Sequence, residues 1–192
     1  MSSSSPGLRP LVLASASPRR VQLLQAAGLT FDVVVPSVEE AHDPALTCEA
    51  LTIANALLKA NAAAQARPAA TIIGADTLVY VDGDPLAKPA DLPEGREMMR
   101  RLSGRTHQVC TGVALVSPDQ TTTFAVITQV TFKTLTDAVI TQYHGLVNVL
   151  DKAGGYAVQE HGDLIIERVE GSLSNVVGLP VDEVLAALAA QG

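Results

Sequence analysis

Leu11-Val12-Leu13-Ala14-Ser15-Ala16-Ser17-Pro18-Arg19-Arg20 passes from an unbroken apolar run, through two serines, to a proline and two arginines. Four apolar residues bounded by polar ones read as a short buried strand. Ser17 then suits the N-cap of a helix, and Pro18 suits its first turn, where a missing N–H costs nothing. Gly28, at the position where a left-handed residue ends a helix, closes it over residues 18–27. The β-branched stretch 31–35 follows and stops at Pro36. The chain therefore opens as strand, helix, strand, the start of an α/β layer.

Outward from this opening, residues 44–66 are rich in Ala and Leu, with Leu46, Ala50, Ile53 and Leu57 at the spacing of an apolar helix face. Asn55 and Lys59 share another face, four residues apart. Residues 71–74 predict a strand that runs on extended through Asp76 and Thr77 to Val81 and an Asp82-Gly83 turn. Asp91 followed by Glu94 resembles a capping box for a helix over 93–102, stopped by Ser103-Gly104. Two β-rich runs, 108–116 and 122–132, meet at a Ser117-Pro118-Asp119 turn. Thr136 caps a helix to about His144, and strands are expected near Ala157 and over 164–169. Pro180 opens a last helix. Helices alternate with strands early and hairpins dominate later, so the expected fold is α/β of the mixed α+β kind. Its sheet is mixed and partly antiparallel, flanked by helices, with two lobes around a cleft. Residues 1–10 are expected to be a flexible N-terminus, and 11–192 one domain.

Of 192 residues, 47% are hydrophobic and 17% charged, ample material for a core. Thirteen basic against twenty acidic side chains leave a net charge of −7, which disfavours polymeric nucleic acid or an anionic membrane as partner. Cys48 and Cys110 form no CxxC pattern, the four histidines lack zinc-site spacing, and the apolar run 11–14 is too short for a signal or a membrane span. A cytoplasmic protein is expected, without structural zinc and with its histidines on the surface or satisfied in loops.

Against this acidic background, Ser15, Ser17, Arg19 and Arg20 stand out. A strand end, a helix start, two hydroxyls and two guanidinium groups are what a phosphate chain requires. Ser17 and Pro18 as a simple helix cap beside solvated arginines would use the same residues. No Walker A or GxGxxG pattern exists. Asp76 stands at the end of the apolar 71–74 run, where strand ends open into ligand crevices, although a turn residue bonded to its own backbone fits as well. Leu78 occupies the place of the second aspartate of an acylphosphate-forming phosphatase, so Asp76 reads better as a metal ligand or general base than as a nucleophile. Glu40, Lys59 and Lys88 are each, alone, ordinary surface charges, and gain meaning only together.

Together they form a pattern. SASPRR, Glu39-Glu40, Lys59-Ala60, IIGADT, Lys88-Pro89-Ala90-Asp91, LSGRTH, Thr111-Gly112, DKAGGY with Val158-Gln159, and NVVGLP occur in that order. The chain closely resembles the Maf family of nucleoside triphosphate pyrophosphatases, also called septum-formation inhibitors, from about Leu11 to the last helix. The resemblance implies an inosine-triphosphatase-like fold, a homodimer, and cleavage between the α and β phosphates to give a monophosphate and pyrophosphate. It implies a divalent cation, Mg²⁺ with Mn²⁺ or Co²⁺ as alternatives, and Asp76 as the proton acceptor. Glu40, Lys59, Lys88, Ser15, Ser17, Arg19 and Arg20 fall on its phosphate and metal positions, Glu40 and Asp76 being the metal's oxygen ligands. Arg19, Thr77 and Gln159 match the branch that acts on dTTP and UTP, and Glu160 stands where the family commonly has glycine. A non-catalytic nucleotide-binding regulator of cell division is the alternative that the family's older name implies.

Overall fold

A computed structural model describes residues 9–191, so all but Arg9 and Pro10 of the expected N-terminal tail lies outside the described residues. One sheet organises the chain, with strand order β2-β1-β3-β5-β6-β7 and a short β4 paired to β3. The first strand, β1 (Leu11–Ala14), runs parallel to β2 (Asp32–Val34) and to β3 (Thr71–Val81). Every later pairing is antiparallel: β3 with β4 (Asp84–Leu86) and with β5 (Thr106–Val116), β5 with β6 (Thr121–Phe132), and β6 with β7 (Ile166–Glu170). The sheet is thus mixed, as the sequence predicts. The β3–β4 hairpin turns at Asp82 and Gly83, both at positive φ, the conformation that an Asp-Gly pair tolerates best.

Helix α1 (Pro18–Ala26) and the last helix, α6 (Val181–Gln191), cover one face over a core of Leu13, Leu24, Ile73, Val113, Leu179 and Val184. Helix α2 (Cys48–Ala66) covers the other face over Val12, Ala56, Ala60, Ile72 and Ala114. Beyond them α3 (Leu92–Leu102) and α4 (Asp137–Leu146) close a third core of large side chains, including Met99, Leu102, Phe132, Ile140, Tyr143 and Tyr156. Two of the sequence-predicted caps are formed, Asp91 accepting from the Glu94 N–H at 2.8 Å and Thr136 from that of Val139 at 3.4 Å, whereas Ser17 takes the N-cap position without a side-chain bond.

Helix α2 departs from expectation twice. It begins at Cys48, capped by Thr47, because Asp43 turns the preceding residues by accepting from the Ala45 N–H. Its buried face is also not the one carrying Leu46, Ala50, Ile53 and Leu57. It is Leu51, Thr52, Asn55, Ala56, Lys59, Ala60 and Ala63. The cause lies in the sheet: a Cβ on Gly74 would sit 2.2 Å from the Ala56 carbonyl oxygen, and one on Gly112 would sit 2.3 Å from the Thr52 carbonyl carbon. Helix backbone rests almost directly on strand backbone there, so only small side chains fit between.

Three further expectations are corrected. Around Ala157 the chain forms turns rather than a strand, following a 3₁₀ turn at Ala153–Gly155 in which Gly154 and Gly155 take positive φ. A short helix, α5 (Leu173–Val177), precedes Pro180 and ends at Gly178. His107 is neither at the surface nor in a loop: it lies in β5, 2% exposed, against Phe132 and Tyr156.

Candidate active site

Asp76 does not end a strand. It lies midway along β3, which the sequence reading had stop at Gly74 before an extended run. The opening beside it arises because β1 pairs with residues 71–74 and β4 with residues 79–81, leaving one edge of β3 without a strand partner from Ala75 to Leu78. A cavity of about 520 Å³ occupies that gap, within the range of small-molecule sites.

The loop between β1 and α1 forms one wall. Ser15 Oγ accepts from the Ser17 backbone N–H at 3.1 Å and from Arg20 Nη1 at 3.3 Å. Ser17 occupies the N-cap position without making the side-chain cap, so the first N–H groups of α1 keep their capacity for another acceptor. Arg20 is buried, and it donates to the Gly178 carbonyl at 2.8 Å and to Thr77 Oγ1 at 2.9 Å. Burial lowers its pKa, with the field of Asp76 acting against that shift, and an arginine stays charged regardless. Arg19 pairs with Asp151 at 3.0 Å.

Helix α2 supplies the floor. Close packing over Gly74 and Gly112 brings Lys59 Nζ to 2.7 Å from Asp76 Oδ1, and Asn55 Nδ2 to 3.1 Å from Asp76 Oδ2. The same ammonium lies 2.8 Å from Glu40 Oε1. Asp76 and Lys59 are buried, whereas the Glu40 side chain is 43% exposed, so the carboxylates approach one cation from the interior and from the solvent side. Lys88 stands exposed on the rim, and Gln159 is exposed with its Nε2 3.4 Å from Glu160 Oε1.

Every sequence-predicted site residue, Ser15, Ser17, Arg19, Arg20, Glu40, Lys59, Asp76, Thr77, Lys88 and Gln159, lines this one cavity. Sequence reasoning missed Asn55, whose signal was its four-residue spacing from Lys59. It quoted Asp151 and Lys152 only within the DKAGGY motif and gave neither a role. Lys152 is 5% exposed, holds Asp151 at 2.8 Å, lies 3.4 Å from Glu160, and lines the cavity too. Among the described residues no three His, Cys, Asp or Glu side chains are grouped to hold a metal by themselves. Glu40 and Asp76 nevertheless share one cation, Lys59, and two hard oxygen donors of this kind suit Mg²⁺ when phosphate oxygens and water complete its shell.

Residues 10–191 match the family model described as Maf-like protein. The chain belongs to the Maf family. A dTTP/UTP pyrophosphatase from Akkermansia muciniphila is 49% identical over 179 residues, covering 93% of this chain and 95% of the relative. One of the same name from Bacillus cytotoxicus is 41% identical over 174 residues, 91% of each chain. Another from Bacillus anthracis is 39% identical over 181 residues, covering 94% and 95%. No described helix is long and apolar enough to cross a membrane.

Proposed function

We propose that this Maf-family chain is a nucleoside triphosphate pyrophosphatase acting on dTTP and UTP. Water attacks the α phosphorus, the bond from that phosphorus to the bridging oxygen breaks, and pyrophosphate leaves with the electron pair. The observation that carries this reading is the buried Asp76 carboxylate held by Lys59 and Asn55 on the floor of a cavity walled by Ser15, Ser17 and Arg19. The names of the relatives supply the substrate class.

Asp76 takes the proton of the attacking water. Lys59, Lys88 and Arg19 offset charge that grows on the phosphate oxygens, where charge-assisted bonds are strongest. The hydroxyls of Ser15 and Ser17 and the free N–H groups of α1 hold the phosphate chain. Arg20 gives three of its five N–H groups to Ser15, Thr77 and Gly178, which fixes the phosphate loop against the base-binding side and leaves two for phosphate oxygens. Thr77 and the Gln159 amide, which both donates and accepts, read a pyrimidine edge. Glu40 and Asp76 would supply the protein's oxygen ligands to a Mg²⁺ ion shared with the nucleotide phosphates. When bound, the cation withdraws charge from the phosphate.

Two free cysteines fit a cytoplasmic site of action, one domain over 11–192 carries the activity, and family resemblance supports a homodimer, which light scattering tests. The non-catalytic regulator is not favoured, since the relatives carry enzyme names. Pyrophosphate release from dTTP and UTP by the purified protein, dependent on Mg²⁺ and lost in Asp76→Asn, is the expected result. Full activity in excess chelator would refute the metal requirement. A higher kcat/KM for GTP or 7-methyl-GTP would refute the substrate class.

A further inference from the structure

Asn55 is 2% exposed, one helical turn before Lys59, and its amide is committed on three sides. Oδ1 accepts from the Ala41 backbone N–H at 2.8 Å. Nδ2 donates to the Ala41 carbonyl at 3.2 Å and to Asp76 Oδ2 at 3.1 Å. A backbone N–H can only donate, so the amide has one orientation that satisfies all three bonds. The reciprocal pair with Ala41 imitates the two bonds that a neighbouring strand would make. It does so on residues 35–47, which contain neither helix nor strand. Glu40 is the next residue back along that segment.

We infer that Asn55 is a positioning residue that sets the Glu40 carboxylate against Asp76, by tying the Glu40 segment to α2 and to Asp76 through a single buried amide. The inference rests on the hydrolase reading above for its consequence in catalysis, but not for its geometry. Lys59 cannot set this spacing alone. Its ammonium has no fixed donor direction, it sits on a flexible stem, and its Glu40 partner is substantially exposed, conditions under which an ion pair is loose. Three directional bonds to a buried amide define both the height of the segment and the face that Asp76 presents.

The test is Asn55→Leu, which conserves bulk and removes all three bonds, with Asn55→Asp beside it. The aspartate keeps the acceptor for the Ala41 N–H, loses both donors, and provides a second reading where the leucine variant fails to fold. Amide hydrogen exchange at Ala41 should accelerate by roughly 10- to 100-fold in Asn55→Leu, while amides of β3 and β5 keep their protection. On dTTP, kcat should fall by about 10- to 100-fold, the range for losing a group that orients a ligand, with KM changing less. In a Glu40→Gln background the same substitution should add little further loss, because the two act on one element. Unchanged Ala41 exchange, unchanged kcat in an active enzyme, or losses that multiply fully in the double variant would each overturn the inference. A wild-type protein that releases no pyrophosphate defeats the hydrolase reading, and Ala41 exchange then decides the positioning role.

Discussion

Strands β3 and β5 pass through two unlike neighbourhoods. Around Gly74, Asp76 and Gly112 they lie beneath α2 with little but alanine, threonine and buried polar groups between the backbones. Further along the same two strands, at Val79, Val81 and Val109, they meet Met99, Leu102, Phe132 and Tyr143, an ordinary core of large side chains. The first neighbourhood holds a buried carboxylate, amide and ammonium in contact, and burying such charges gives little net stability. The second holds the apolar area that pays for it. Damage to the first should therefore reach activity and stability together, and damage to the second should reach stability alone wherever it lies away from Val79 and Val109, which border the cavity.

The largest effect on activity is expected from Gly112→Ala. Its Cβ would meet the Thr52 and Ile53 backbone at 2.3–2.5 Å, and no rotamer relieves a clash with backbone. Helix α2 must move away, carrying Lys59 and Asn55 from Asp76. Stability should fall by roughly 1–3 kcal/mol or more, as for an overpacked core. The kcat/KM for dTTP should fall by about 100-fold, as a displacement near 1 Å can do. Denaturant midpoints and pyrophosphate release measure the two. Undiminished kcat/KM would show that the close approach of α2 does not set the site.

Leu102→Ala, fully buried in the second neighbourhood, should cost about 2–5 kcal/mol by transfer and cavity terms. Here kcat/KM should stay within about twofold when measured well below the unfolding temperature, since Leu102 lines no part of the cavity. A parallel loss of activity would break the division between the two neighbourhoods.

His107 gives a pH-dependent form of the same contrast. Burial pushes its pKa down to about 4, while Tyr156 engages Nε2 at 2.7 Å and Nδ1 has no partner among the described residues. The unfolded chain, with an ordinary pKa near 6.5, binds more protons than the folded one between pH 6.5 and 4. Stability should therefore rise with pH through this window and be lost on acidification, by on the order of 3 kcal/mol once pH 4 is passed. His107→Phe should flatten that part of the stability curve. An unaltered acid limb in the variant would assign the loss to other groups.

How far this division was legible follows from what sequence patterns record. The strand, loop and helix of residues 11–27 were readable because Pro18, Ser17 and Gly28 act locally, and the Asp91 and Thr136 caps and the Asp82-Gly83 turn for the same reason. The buried face of α2 was not. Periodicity points to Leu46 and Ile53, whereas packing chose alanines because Gly74 and Gly112, distant in sequence, leave no room for more. Asp76 was recognisable as a candidate, but its opening depends on where β1 stops and β4 begins, a property of pairing that Asp76 does not encode. His107 sits in a β-rich run with nothing nearby in the chain to indicate that Phe132 and Tyr156 enclose it.

The smallest expected effect tests the rim, where neither neighbourhood dominates. Glu160 Oε1 lies 3.4 Å from both Gln159 Nε2 and Lys152 Nζ, and its side chain is 40% exposed. The Gln159 contact is exposed, and the buried Lys152 keeps Asp151 at 2.8 Å and the Asn148 carbonyl at 2.6 Å without Glu160, so Glu160→Gly should leave stability within about 0.5 kcal/mol. Its consequence should be in selectivity. The carboxylate occupies one N–H of the Gln159 amide and thereby biases which way the carbonyl oxygen and the remaining N–H point. Without it the amide rotates freely, and a bond to the pyrimidine edge must first be paid in rotamer entropy. The ratio of kcat/KM for dTTP to that for GTP should drop by roughly two- to fivefold, the equivalent of one exposed hydrogen bond of about 0.5–1 kcal/mol. Glu160→Gln, which can still accept from Gln159, should retain most of the ratio. If glycine and glutamine variants behave alike, the negative charge near Lys152, rather than the orientation of Gln159, is what Glu160 contributes. If neither differs from the wild type, base reading does not depend on Glu160.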